Sequence, residues 1–235
     1  MSEIPPITIV ATTYFPPGED GRKRRDVFRQ ALDSWGGFLH YEGKVGLHEA
    51  NDALAPGPGE ELSYGIAPEL FRGGLSVSHQ DRRGVGASLN AGFGVASERS
   101  PLVAYMVDDW ALTEPFDLTP WARLLLDNDT IGCVRLGPPH PNLRGTILMV
   151  EHGWVFVPER QGFAFGHRPA LYHQRFTDYY GLFDEGVNAF ECERLYNERY
   201  ARDPGGPKVV LAMPHPWQHL DSVELGDVQP EGALR

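Results

Sequence analysis

The sequence predicts an α/β protein: a mostly parallel sheet with helices on both faces, followed by a smaller antiparallel region. Three observations predict it. Apolar runs of strand length alternate with segments of helical periodicity from residue 7 to about residue 136. One run, Leu102–Val107, stops at two adjacent carboxylates, Asp108 and Asp109, and in open α/β sheets ligands gather at the carboxyl ends of strands. From Thr146 onward two closely spaced apolar runs and a Gly- and aromatic-rich stretch replace the alternation, as in an antiparallel hairpin.

Ile7 to Thr13 is the first strand, leading to a loop, Tyr14-Phe15-Pro16-Pro17-Gly18. A helix follows over about 22–35, with Val27, Phe28, Ala31, Leu32 and Trp35 at helical spacing and Gly36-Gly37 as its stop. Lys44 to His48 is a short strand ending near Glu49, Asn51 and Asp52, and Ala55 to Gly65 is a Pro/Gly-rich loop. Leu75 to His79 is a strand, and a small-residue helix runs from about Ala87 to Ser97. After the Asp-Asp strand come a helix around 121–126 and a strand over Ile131–Leu136. Thr146–Val150 and Gly153–Val157 form a hairpin turning at Glu151-His152; helices over about 174–180 and 187–202 and a strand over Lys208–Met213 complete the chain.

The 235 residues suffice for one large α/β domain or two small ones. We expect one domain over 1–222, divided near 136, with a loosely ordered tail over 223–235. A net charge of −11 argues against a general binder of nucleic acid or anionic membranes. Cys133 and Cys192 lie in apolar strand-like and helix-like runs, which suggests neither a disulfide framework nor a zinc site. A polar, Pro-containing start and the absence of a long apolar stretch fit a reduced, cytoplasmic setting without a membrane span.

Two carboxylates closing a buried strand need a cation, donors or water. The economical reading is a divalent-metal site serving a phosphate-bearing substrate; the plainer one is a solvated turn capped by aspartates. No Gly-x-Gly-x-x-Gly follows the first strand and no Walker A pattern occurs, so a nucleotide is held in another way. On the 187–202 helix, Glu191 shares a face with Val187 and Leu195, and apolar neighbours raise a carboxyl pKa toward that of a general base. The plainer reading pairs Glu191 with Arg194 or Arg199. The run Arg22-Lys23-Arg24-Arg25 could attract phosphate, but at a helix start basic residues oppose the dipole, and a solvated helix face is the plainer reading. Trp110, directly after the aspartates, is expected to line the pocket.

The pieces together resemble a GT-A glycosyltransferase of the family-2 type, over about Ile7 to Ser222. The resemblance rests on Arg83-Gly84-Val85-Gly86-Ala87-Ser88-Leu89-Asn90-Ala91-Gly92, on Asp108-Asp109 where the family has Asp-x-Asp, on Gly181-Leu182-Phe183-Asp184-Glu185, and on Glu191-Cys192-Glu193 where the family's base helix carries Glu-Asp. It implies a Rossmann-like nucleotide-sugar-binding half over about 1–136 and an acceptor and catalytic-base half over about 137–222. It further implies donor contacts from Thr12, Thr13, Tyr14, Glu49 (with Asp52 a looser match), Arg83, Asn90, Asp108 and Trp110. The metal, Mn²⁺ or Mg²⁺, would be held by Asp109 and His219, with Glu191 as base. The implied reaction is inverting transfer from a nucleotide-diphosphate sugar, UDP-linked by default, to the hydroxyl of a saccharide, small molecule or modified nucleobase. Two alternatives stand beside it. One is a sugar nucleotidyltransferase, which should carry an activating lysine in its first loop, where Tyr14–Gly21 has none. The other is a non-catalytic nucleotide- or carbohydrate-binding relative.

Overall fold

Strand-forming runs in this chain are apolar on both faces, and the computed structural model packs them accordingly. It describes residues 3–16, 18–52, 71–138, 143–150, 153–158, 165–203, 205–213 and 215–220. Strands β1 (Ile7–Thr13), β3 (Val45–Asn51) and β5 (Leu102–Val107) are buried at every residue, as expected of parallel strands covered on both faces. With β4 (Leu75–His79) they form the parallel half of a nine-stranded sheet of order β4-β3-β1-β5-β11-β8-β12-β10-β9. Here β8 is Ile131–Arg135, β9 Gly145–Val150, β10 Gly153–Pro158, β11 Ala170–His173 and β12 Lys208–Met213. The short β11 runs antiparallel to both β5 and β8, and β8 and β12 are parallel. The expected hairpin forms as β9 and β10, antiparallel to each other at the sheet edge; its proposed turn residues, Glu151 and His152, lie outside the described residues, as does the tail from 223.

Helix α1 spans Glu19–Phe38, so Gly36-Gly37 does not stop it. A buried Trp35 on α1 donates from Nε1 to the Trp110 carbonyl at 2.8 Å, and Ser34 Oγ accepts from the Leu112 amide at 3.0 Å. Tertiary anchoring thus outweighs the roughly 1 kcal/mol that each interior glycine costs. Helix α2 covers Val85–Ser97, α3 Thr119–Asp127, α4 Gln174–Tyr180 and α5 Ala189–Arg202. Asn188 caps α5, its Oδ1 accepting from the Glu191 amide at 2.9 Å, an Asn-x-x-Glu start. Two small pairs of strands complete the structure: β2 (Leu39–His40) with β7 (Phe116–Asp117), and β6 (Trp110–Leu112) with β13 (Trp217–His219). The β6–β13 pair was not expected from the sequence, and it places His219 beside Trp110 and the acidic pair.

Sheet order fixes where a ligand can sit. From β1 the chain adds β3 on one side and later β5 on the other, and the three are in register at Thr12, Ala50 and Val107. The crevice beyond β1 and β5 is therefore a topological switch point.

Candidate active site

A cleft of about 380 Å³ opens at that switch point. It is lined by Thr12, Thr13 and Tyr14 from the end of β1, Val107, Asp108 and Asp109 from the end of β5, and Asp52 beyond β3. Arg24 of α1, Val85 and Ser88 of α2, His167, and Ala189 at the start of α5 close it. Thr12, Thr13, Tyr14, Asp108 and Asp109, all expected from the sequence, thus meet in one place.

The acidic groups around the cleft differ in what answers them. Glu49 is 1 % exposed; its Oε1 accepts from the Thr13 hydroxyl at 2.7 Å and the Asn51 amide at 3.4 Å. It does not line the cleft, so its role here is to hold Thr13. Asp52 accepts from the Gly84 amide with both oxygens, at 3.1 and 3.0 Å. Burial raises its pKa, and that amide works against the rise. Asp109 accepts through Oδ2 from His219 Nε2 at 3.0 Å, while its Oδ1 is buried with no hydrogen-bond partner among the described residues. The Leu220 amide donates to the Asp109 carbonyl at 2.8 Å, and the His219 ring meets the Trp110 ring edge-on at 5.4 Å, which fixes the pair.

A second network crosses the cleft floor. His167 Nε2 lies 3.1 Å from the Ala189 carbonyl, which can only accept, so Nε2 carries the proton. In the neutral ring Nδ1 then accepts from the Tyr105 hydroxyl at 3.2 Å, which leaves Thr12 as donor to Tyr105 at 3.3 Å. This chain ties the end of β1 to the start of α5. Local sequence gave no sign of it, because Tyr105 sits inside a buried strand and His167 follows a Gly-rich stretch.

Two of the motifs that carry the resemblance, Arg83–Gly92 and Gly181–Glu185, bind each other. Asn90 donates to the Phe183 carbonyl at 3.0 Å and to Glu185 Oε1 at 2.9 Å, and accepts from the Phe183 amide at 2.9 Å. Arg83 pairs with Glu185, and the Arg83 carbonyl accepts from Gly186. Gly84 has φ +85, and a Cβ on Gly86 would stand 2.0 Å from the Asp184 carbonyl oxygen, so both positions require glycine. Asn90 and Arg83 therefore clamp the segment before α5 and do not line the cleft. Trp110, 8 % exposed, packs against His219 and takes the Arg168 guanidinium over its ring at 6.0 Å; it too lies outside the cleft lining.

Glu191 departs from its expected surroundings. The buried face of α5 is Cys192, Tyr196 and Tyr200, and Glu191 stands beside it in a two-point pair with Arg194, at 2.8 and 2.6 Å. That guanidinium lowers its pKa, the reverse of the rise expected from apolar neighbours. Cys192, where the resemblance places a second carboxylate, is fully buried.

No protein-family model and no curated protein sequence matches the chain. Among solved structures it is similar to S. aureus TarS in complex with UDP, at a TM-score of 0.59 and 12% identity over 90% of this chain and 59% of that one. It is similar to TarS with UDP-GlcNAc at a TM-score of 0.57 and 12% identity, covering 92% and 60%. This chain has a GT-A glycosyltransferase fold. GalNAc-T7 with UDP, GalNAc and Mn²⁺ shares the fold at a TM-score of 0.53 and 12% identity, covering 90% of this chain and 43% of that one. The chain spans between about two fifths and three fifths of the length of these neighbours. No helix among the described residues is long and apolar enough to cross a membrane.

Proposed function

We propose that the chain is a glycosyltransferase that takes its sugar from a nucleotide-diphosphate donor bound at the cleft beyond β1 and β5. One observation carries the reading. At the switch point of a GT-A fold, the β1 loop faces Asp108-Asp109, and Asp109 keeps a buried oxygen without a hydrogen-bond partner among the described residues. Thr12, Thr13, Tyr14 and Asp52 are the proposed nucleoside contacts, and Asp108 faces the ribose. The solved neighbours bind UDP or UDP-GlcNAc, which makes UDP-sugars the first donors to try.

A divalent cation fits Asp109 and His219. The orphan oxygen of Asp109 and His219 Nε2, once that nitrogen gives up its proton and its hydrogen bond to Asp109 Oδ2, would form a mixed donor set that favours Mn²⁺ over Mg²⁺. No group of three or more such ligands occurs among the described residues, so donor phosphates and water would supply the other positions. When bound, the ion offsets the negative charge that develops on the leaving diphosphate. Glu191, in the first turn of the helix whose first residue lines the cleft, is the proposed proton acceptor, and a single base opposite the leaving group gives inversion.

A second reading has its own support. The two-point hold of Arg194 on Glu191, together with the buried thiol of Cys192, suits a relative that binds nucleotide and sugar without transferring. A screen of nucleotide sugars with Mn²⁺, read by thermal shift and then by donor hydrolysis, separates the two. A ligand at a hundred times its Kd adds about 2.7 kcal/mol of stability. Transfer or hydrolysis that Glu191→Gln abolishes while donor binding persists supports the enzyme. Metal-dependent binding with no turnover supports the second reading, and near-normal turnover by Glu191→Gln removes that residue from the chemistry.

A further inference from the structure

The run Arg22-Lys23-Arg24-Arg25 begins a helix, where cations oppose the dipole, and the donor reading leaves it unexplained. The structure divides it. Lys23 pairs with Glu19 at 3.2 Å on the surface, and the Arg25 guanidinium lies 5.6 Å over the Phe15 ring. Arg24 turns to the cleft and is the only Arg or Lys among its described lining residues. One of its N–H groups donates to the Tyr14 carbonyl at 3.4 Å, which leaves most of a five-donor fork for another partner.

The backbone is built to bring it there. The first turn of α1 presses so closely on the preceding loop that a Cβ on Gly21 would fall 1.7 Å from the Pro16 carbonyl oxygen. Glycine at 21 therefore lets the start of α1 pack against Pro16, close to the loop whose Tyr14 carbonyl Arg24 reaches at the cleft. Asp52, Asp108 and Asp109 line the same space. A diphosphate entering among three carboxylates is repelled unless cations meet it, and Asp109 with His219 provides a place for one.

We propose that Arg24 is a ligand of the donor's diphosphate, a second cation beside the metal. This rests on the donor reading above, and calorimetry distinguishes the failure of either. Wild type and Arg24→Gln are titrated with UDP and with uridine in the presence of Mn²⁺. Lys23→Gln, which removes the same charge one residue away, is the comparison, and Arg24→Lys keeps the charge without the fork. A hydrogen-bonded charge contact predicts UDP binding about 10- to 100-fold weaker in Arg24→Gln. Uridine affinity should be unchanged, Lys23→Gln should stay within about twofold of wild type, and Arg24→Lys should fall between. UDP binding by Arg24→Gln within twofold of wild type overturns the proposal and leaves the donor reading standing. Equal losses for UDP and uridine also overturn it, since they show a structural role. If wild type binds none of UDP, GDP, CDP, ADP and dTDP, the donor reading falls and Arg24's role with it.

Discussion

The carboxyl ends of β3 and β5 flank β1 on either side and both carry acidic residues, yet the two ends are finished differently. Beyond β3 each acid has protein donors: Thr13 and Asn51 reach Glu49, and the Gly84 amide reaches Asp52. Beyond β5 one oxygen of Asp109 meets His219 and the other is buried with no hydrogen-bond partner among the described residues. A carboxylate already supplied with donors holds a loop in shape. One left short in a buried position is costly unless a ligand completes it. On the proposed reading the cation and the donor diphosphate sit at the β5 end, and the β3 end shapes the wall they rest against.

The strongest way to break this contrast is Asp109→Asn, which keeps the shape and removes the charge. Turnover should fall by about 100- to 1000-fold, and a donor-hydrolysis assay across a Mn²⁺ series checks it. The clamp between α2 and the segment before α5 is expected to act on stability. Asn90→Ala strands the Phe183 amide and carbonyl and should cost about 2–3 kcal/mol in urea unfolding, with the Mn²⁺ response of the folded protein intact.

A smaller effect sharpens the picture of the β3 side. His48, 2 % exposed on β3, has its ring nitrogens against Ser76 Oγ at 2.9 Å and Ser78 Oγ at 3.0 Å. Burial, with Arg99 second, lowers its pKa from 6.5 to about 4. The folded value lies below the unfolded one, so the unfolded chain binds the proton first on acidification. This contribution is complete above pH 6.5 and is lost as pH falls toward 4. Between pH 7 and pH 5 it should amount to about 1–2 kcal/mol, and unfolding of His48→Gln should show a correspondingly flatter pH dependence than wild type.

Strand ends were legible in the sequence and cross-chain contacts were not. Thr12, Thr13, Tyr14, Asp108 and Asp109 line the cleft because each follows directly from an apolar run whose end can be read by eye. Strand β11 escaped notice because it is four residues long and enclosed by β5 and β8, so no alternation marks it. The β6–β13 pair is three residues long on each strand and joins segments about a hundred positions apart. The motif around Asn90 was visible as a motif, but its partner, the Phe183 backbone, was not. Glu191 misled through periodicity: a face drawn through Val187 and Leu195 ignores that α5 begins at Ala189 and turns Cys192, Tyr196 and Tyr200 inward. Arg24 and His167 reach the cleft from a helix start and a loop, which local patterns do not encode.

Calorimetric titration of UDP into wild type and Asp109→Asn, each with Mn²⁺ and with EDTA, addresses the contrast between the two strand ends most directly. The account predicts tight binding by wild type only when Mn²⁺ is present, and a loss of that metal dependence in Asp109→Asn. Binding by wild type that is the same with Mn²⁺ and EDTA, or a metal response that survives in Asp109→Asn, would contradict it.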